Sequence, residues 1–462
     1  MAPEMNEGLL GDAVAYADQW LAFQQRLKEI PAVTMAVRHG EQVILSSAYG
    51  HANLEREIVV TPLHIFRVAS HSKWFTATAI MQLKERHKLR LDDPLGQYIA
   101  WLDEPVANIT IRQVLNHAAG ITRDGYDNDY WQLEHPFPDP EQLRELVEEG
   151  GEVFPPNHKL KYSNIGYSLL GLVIETASGM PYHRYVGETI VDRLGLQNTG
   201  PETNPQAQAR MVTGYTSRAL LLPRMPLPDV ETGAMSPATG FYSTAEDLAR
   251  FAAAHFFGND ELISDESKRE MQRAYWPVKD MDSYGLGMQV TTIKDRRIAG
   301  HSGGFPGHTT YTTLDPEDQL AISVLTSESG GVASELAKSI IKLIDLALDQ
   351  KPVGDATDLD RYTGRFTSLW GYTDIARLGD QLFLIAPSSD DPAAAAVKLE
   401  VADENTLKIE EKDGYGSPGE SIQYARDEEG TILKVTVAGS TQYPTGSTQG
   451  YLQRRREELS AR

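Results

Sequence analysis

"RVASHSKWFTATAIMQL" (residues 67–83) decides how the rest of the chain is read. A short strand-like run, Ile65 to Val68, turns into a long apolar helix, and Ser70 stands at the junction. Lys73 follows three residues later. Residues i and i+3 share a helix face, so hydroxyl and amine can touch. The helix N-terminus is the positive end of the dipole, where an oxyanion is stabilised. A buried lysine loses proton affinity by desolvation and then serves as a base near neutral pH. The pattern alone is also satisfied by a helix cap and a snorkelling lysine. A second Ser-x-x-Lys, Ser339 to Lys342, falls inside an amphipathic helical stretch and reads as coincidence.

The remaining sequence bounds the setting. A chain of 462 residues exceeds one ordinary core and divides into domains. With 41% hydrophobic and 23% charged residues it has a soluble, globular composition. There is no cysteine, which excludes disulfides and thiolate-ligated metals. The histidines show no metal-ligand spacing, so neither metal nor cofactor is expected. The formal charge of −22 repels nucleic acid and anionic lipid but admits neutral or cationic small substrates. No basic leader followed by an apolar segment and no membrane-length apolar run is read, so the expected location is cytoplasmic.

Working outward from residue 70, residues 12–28 follow a helical period. "AVTMAVRHGEQVILSSAYG" (32–50) reads as two strands around His39-Gly40. Helices are expected at 70–87, 109–121 (ended by Gly120), 139–149, 163–179, 242–258 and 332–349. Residues 297–327 read as three strands with turns between them. Strands, a run of helices, strands and a final helix imply a mixed α/β domain with an antiparallel sheet. After Gln350, "KPVGDATDLD" reads as a linker, and short β-like runs then recur every 8–12 residues. The expectation is a catalytic domain over 1–350 and an all-β antiparallel barrel over 351–462.

Two further segments match the chemistry of a serine–lysine pair. Tyr162-Ser163-Asn164 precedes an apolar helix, and His301-Ser302-Gly303 lies on an expected strand. Tyr126-Asp127-Asn128 repeats the Tyr-x-Asn spacing, but inside the acidic, aromatic stretch 123–138, where an exposed loop is the simpler reading. Taken together, "FRVASHSKWFTATAIMQL", "KYSNIGYSLLGLVIE", "GFYSTAEDLARF" and "GHSGGFPGHTTYTTLDP" resemble the serine β-lactamase and penicillin-binding-protein superfamily. Within it they look like the class C β-lactamase-related (CubicO-type) hydrolases, such as D-aminopeptidases and family VIII carboxylesterases. The resemblance spans roughly residues 30–345. The appended barrel resembles the lipocalin-like domain of an archaeal serine peptidase of this group.

The resemblance implies roles. Ser70 is the nucleophile that forms an acyl-enzyme, Lys73 shares the base role, and Tyr162 abstracts or relays the serine proton and protonates the leaving group, the acylation base being either Lys73 or Tyr162. Asn164 holds Lys73 or a substrate amide. The backbone amides of Ser70 and Gly304 form the oxyanion hole, and Gly303-Gly304 lets substrate approach the strand. His301 stands where β-lactamases carry a lysine, so the anchor for an antibiotic carboxylate is missing. His117, in "VLNHAAGI", is read as a packed or capping helix residue; His308, on the turn at Gly307, reads more simply as structural than as lining the pocket. The implied activity is cleavage of amide bonds in small peptides or aminoacyl amides, with D-residue selectivity in range. The alternative is a carboxylesterase using the same residues with weak or no β-lactamase activity. Partners are then small peptide, amide or ester substrates and further copies of the chain. If the barrel encloses a cavity, a binding role can coexist with catalysis.

Overall fold

The computed structural model describes residues 6–220, 223–279, 282–350, 358–410 and 417–460. Most of the linker expected at 351–360 lies outside them. By their contacts the residues form two units, one of 30–337 and one of 3–29 with 338–462. This division differs from the chain-order boundary at 350 in its treatment of the first helix, α1 (Glu7–Leu27), and the end of the helix Ala333–Leu348.

The 30–337 unit is built on a nine-stranded sheet. Its strands are β1 (Ala32–His39), β2 (Gln42–Asn53), β3 (Ile58–Val59), β4 (Trp276–Lys279), β5 (Asp282–Tyr284), β6 (Gln289–Ile293), β7 (Arg296–Phe305), β8 (His308–Asp315) and β9 (Leu320–Thr326). The order is β3-β2-β1-β9-β8-β7-β6-β5-β4, and the described pairings are antiparallel. Val33 of β1 stands opposite Thr326 of β9, so the first and last expected strands meet in mid-sheet. β9, "LAISVLT", is buried along its whole length, as a strand covered on both faces must be. Strands β4 to β6 were not legible as alternating runs. "SYGLGMQV" is broken by Gly285 and Gly287, and the pairing of β5 with β6 supplies what periodicity does not.

Helix α2 (His71–Glu85) runs through the core and is buried from His71 to Leu83. A helix apolar on every side belongs inside a domain. Phe75 stacks on Phe251 (3.8 Å) and on Phe241 (4.2 Å). Trp74 Nε1 donates to His255 Nε2 at 3.1 Å. α3 (Asn164–Ser178) starts on the Ser163 hydroxyl and ends at Gly179, which takes the left-handed φ of 73° that favours glycine. The helix expected over 109–121 is shorter, Ile111–Leu115. The Asn116 side chain accepts the Ala118 N–H, His117 takes φ 58°, and the chain turns out of the helix. Gly120 then passes so close to Phe154 that a Cβ would stand 1.8 Å from its carbonyl oxygen. The helix at 242–258 is likewise confined to Ala245–Ala253, because Tyr242–Ser243 pairs with Phe66–Arg67 as a short ladder.

The other unit contains a closed antiparallel barrel of eight strands, from Gly364–Ser368 to Ser440–Pro444. Phe366, Ile375, Leu382, Leu399, Leu407, Ile422 and Val435 form its buried core, so the interior is filled by side chains. Helix α1 belongs to this unit. Tyr16 donates to Asp374 (2.9 Å), whose carboxylate also takes two bonds from Arg365 (2.7 Å each). The second Ser-x-x-Lys is structural. Ser339 Oγ donates to the Asp390 carbonyl, and Lys342 pairs with Asp391.

Candidate active site

All the candidate residues lie in the 30–337 unit. Ala69, a non-glycine residue at φ 46°, turns the chain sharply before α2. Ser70 occupies the N-cap position, yet its side chain makes no capping bond. Its hydroxyl instead receives Lys73 Nζ at 3.2 Å and Tyr162 Oη at 2.9 Å. Ser72 takes over the local backbone, donating to Ala69 O and accepting the Phe241 N–H. The arrangement answers the capping alternative, since the Ser70 oxygen is committed to two side chains from outside the cap.

Lys73 does not snorkel. It is 0% exposed, and Nζ also donates to the Ala238 carbonyl at 2.8 Å. Burial drives its pKa well below the ordinary lysine value, partly opposed by Asp124 and reinforced by Arg123. Burial pushes Tyr162 the other way, above the usual phenol range, against the pull of its Ser70 bond and Arg123. Of the two groups on the Ser70 oxygen, the amine is thus tuned to lose a proton and the phenol to keep one.

Tyr162 is set by what surrounds its ring. His117 lies 4.2 Å from it, centroid to centroid, and accepts the Ser163 N–H on Nδ1. Tyr284 and Tyr167 pack on the same imidazole. His117 is therefore a packed residue, but of a turn rather than a helix. Asn164, at the start of α3, donates to Asp124 Oδ1 at 2.6 Å, and its own carbonyl oxygen is buried without a partner. The bonds of Lys73 go to Ser70 and Ala238, not to Asn164.

Strand β7 supplies the second wall. Its partner β6 stops at Gln289, opposite Gly300, so residues 301–305 have a free edge. The two-residue turn between Phe305 and His308 makes that pair, Gly303–Thr310 and His301–Thr312 the hydrogen-bonded ones with β8. The N–H groups of Ser302 and Gly304 consequently point out of the free edge. A Cβ at Gly303 would meet Val68 O at 2.2 Å, so this edge rests against the turn that carries Ser70. A Cβ at Gly304 would meet nothing within 4 Å. The Gly304 amide is thus open to a bound group at this edge.

His301 faces inward. It is 1% exposed, exchanges a bond with Tyr284 Oη (2.9 Å) and is held by Ser302 O on the other nitrogen (2.6 Å). Burial and the nearby Lys73 keep it well below the ordinary histidine pKa, hence neutral. The outward positions of this segment are Ser302 and Gly304, by the alternation of β7. His308 is buried edge-on against Phe66, with a pKa depressed to about 3 by desolvation. His71 clamps the turn, spanning Val68 O and Thr312 Oγ1.

The loop after His117 contributes residues that the sequence did not single out. Asp124 is a buried carboxylate shared by Asn164, Trp131 Nε1 (3.1 Å) and Arg123 Nε (3.0 Å). Arg123 lies over the Tyr162 ring at 5.3 Å. Their signal in the sequence was membership of the acidic, aromatic stretch 123–138, which reads either as a cover of the cleft that recognises a substrate amine or, more simply, as an exposed loop. By contrast Tyr126, of the other Tyr-x-Asn, is 61% exposed, and Asp127 accepts the Asp129 N–H in a local turn.

The chain is similar to known proteins in sequence and in fold. The family profile described as Beta-lactamase matches residues 21–345. Penicillin-binding protein 4* of Bacillus subtilis (strain 168) is 29% identical over 339 residues, covering 69% of this chain and 72% of its own length. An octameric penicillin-binding protein homologue from Pyrococcus abyssi superposes with a TM-score of 0.65 at 22% identity, over 93% of this chain and 99% of that one. A D-amino acid amidase from Ochrobactrum anthropi SV3 gives 0.62 at 23% identity, over 72% of this chain and 97% of its own. Among the described residues, no helix is long and apolar enough to cross a membrane.

Proposed function

Because the chain belongs to the β-lactamase family and is a serine hydrolase, we propose that it cleaves amide bonds of small peptides or aminoacyl amides through an acyl-enzyme on Ser70. One observation carries the reading: the Ser70 oxygen is bonded at once by a desolvated lysine and a tyrosine. Lys73 takes the proton as Ser70 Oγ bonds to the substrate carbonyl carbon. The Ser70 and Gly304 amides hold the developing oxyanion. Tyr162 gives its proton to the leaving nitrogen as the C–N bond breaks, and the Lys73 ammonium restores it. Water then attacks the ester along the reverse path and frees Ser70 with its proton. Asn164 and the Gly303-Gly304 edge bind the substrate backbone, and His301 supports that edge from behind. The likeness to an amidase that acts on D-amino acids makes D-residue substrates the first to try.

The test is serine-directed fluorophosphonate labelling with peptide mapping, followed by D- and L-aminoacyl anilides, short peptides and nitrophenyl esters. Labelling at Ser70 alone, lost in Ser70→Ala together with turnover, is expected. Full turnover by Ser70→Ala ends the acyl-enzyme reading. Ester turnover without any amide turnover replaces the amidase with a carboxylesterase.

A further inference from the structure

His117 brackets the tyrosine of the site. Its carbonyl accepts the Lys161 N–H at 2.7 Å, and its ring Nδ1 accepts the Ser163 N–H at 3.2 Å. The residue held between those two bonds is Tyr162, whose ring lies 4.2 Å from the imidazole, centroid to centroid. One side chain and its carbonyl thus fix the chain before the phenol, the chain after it and a face of the ring. The turn at His117 makes this possible. At φ 58° the residue takes the left-handed region, uncommon for anything but glycine and kept where the surroundings over-determine it. The imidazole is buried, and Tyr167 and Tyr284 close on its other sides. Tyr167 is itself tied to the Leu115 carbonyl at 2.6 Å, so the ring has no room to drift. Because Nδ1 accepts, Nε2 carries the proton, and among the described residues it has no partner. The polar hold of the ring on the site is therefore the Ser163 bond.

Tyr162 needs such a hold. No helix or strand runs through residues 153–163, so no ladder of backbone bonds places the phenol. Yet its hydroxyl must stand 2.9 Å from Ser70 Oγ and, in the proposed reaction, give its proton to the departing nitrogen. A proton donor works only within hydrogen-bond reach of the atom it serves, and a misplacement of about 1 Å costs about a hundredfold. We infer that His117 is a positioning residue for leaving-group protonation: by clasping residues 161 and 163 it holds the Tyr162 phenol where the expelled nitrogen will be, and the ability to cleave amides as well as esters depends on it. This rests on the acyl-enzyme reading above. Among the described residues His117 makes no hydrogen bond to Ser70 or Lys73, so its influence passes through Tyr162. A basic amine cannot leave without a proton, whereas a nitrophenolate can. Loosening the clasp should therefore be felt in proportion to the basicity of the leaving group.

The experiment puts one acyl group on a series of leaving groups: anilides whose ring substituents vary the basicity of the amine, and a nitrophenyl ester. The quantity compared is kcat/KM, which ends at the acyl-enzyme and leaves deacylation out. His117→Phe keeps a ring but strips the buried Ser163 N–H of its acceptor. It should lose at least about tenfold more on the most basic anilide than on the ester. His117→Asn tolerates the left-handed turn and offers an acceptor again, so it should show the same differential in weaker form. Should His117→Phe fail to fold, His117→Asn against wild type decides on the same sign. A loss that falls equally on every leaving group is what a merely structural residue would produce, and it overturns the inference. So does full retention of anilide cleavage in both variants, or a wild type that cleaves the ester and no anilide. Fluorophosphonate labelling of Ser70, whose fluoride leaves without a general acid, is run alongside. Labelling that persists in the variants is expected, and its absence from the wild type would mark failure of the acyl-enzyme reading instead.

Discussion

Lys73→Met tests the proposed base while keeping length and apolar volume. The structure gives the magnitude. An ordinary lysine, with a pKa near 10.4, is neutral in about one molecule in a thousand at pH 7.5. Every unit by which burial lowers that pKa makes the free amine about tenfold more abundant. Lys73 is fully buried, and its two bonds, to Ser70 Oγ and Ala238 O, include no carboxylate that would hold the proton on. A positioned acid or base contributes about 10²–10⁴ in rate, so the Met variant should acylate at least about a hundredfold more slowly. The assay is the rate of fluorophosphonate labelling between pH 5 and 10. The wild-type rate should rise with pH and level off well below the ordinary lysine range, and the variant should lose that limb. A variant that labels within a few-fold of wild type, with the limb in place, refutes Lys73 as the base.

The same group sets a stability slope. Native Lys73 releases its proton at a lower pH than the unfolded chain does, so across the interval between those two pKa values the unfolded state binds more protons. Stability therefore rises with pH from the native pKa of Lys73 towards about 10.4, and the cost of burying the cation is complete only below the native value. Lys73→Met abolishes that contribution. Melting temperatures followed across pH should converge for the two proteins as the pH rises, or the lysine is not the desolvated cation described.

Two other substitutions probe the frame. Gly303→Ala places a methyl where Val68 O and His71 Nδ1 already stand, so the β7 edge must retreat from Ser70; labelling should fall by about a hundredfold, the cost of an ångström-scale misplacement, while Gly304→Ala, with open space at its Cβ, should melt like wild type. A chain ended after Gln350 keeps every candidate site residue but strips α1 of its bonds to Asp374 and Pro387 and of the Phe23–Tyr372 contact; it should bind a hydrophobic dye and melt several degrees lower, and equal melting with no dye binding would show that residues 1–350 close their own core.

The fold was legible where local signals and tertiary demands agreed. "SNIGYSLLGLVIETASG" carries its own cap, apolar face and terminating glycine, and it forms the helix it announces. The barrel runs "DQLFLIA" and "TILKVTVAG" are short, rich in strand-forming residues and bounded by turn formers, and they form strands Gln381–Ile385 and Ile432–Val437. Legibility failed where the backbone is set by distant partners. In "ITIRQVLNHAAGI" the local cue that the helix ends at Leu115 is Asn116, whose side chain accepts the Ala118 N–H, and it is a weak one. The turn is fixed by Gly120 packing against Phe154 and by the His117 ring entering the tyrosine cluster.

The site divides along the same line. Ser70 and Lys73 meet because three residues on one helix turn must, and the spacing alone carries that. Tyr162 reaches the same oxygen only because α3 is docked beside α2, which the motif order suggested and the helix packing accomplishes. His301 shows the limit. Its place in the motif was legible, but its direction was not, because in a strand the side facing the substrate is decided by parity. The register of β7 against β8 fixes that parity through the turn at Pro306-Gly307, sending the 302 and 304 amides to the open edge and the 301 and 303 side-chain positions inward. Position 301 thus shapes the edge without presenting a charge at its rim. The loop that follows His117 brings Arg123 to the face of Tyr162, so a charge near this part of the site comes from another element than β7.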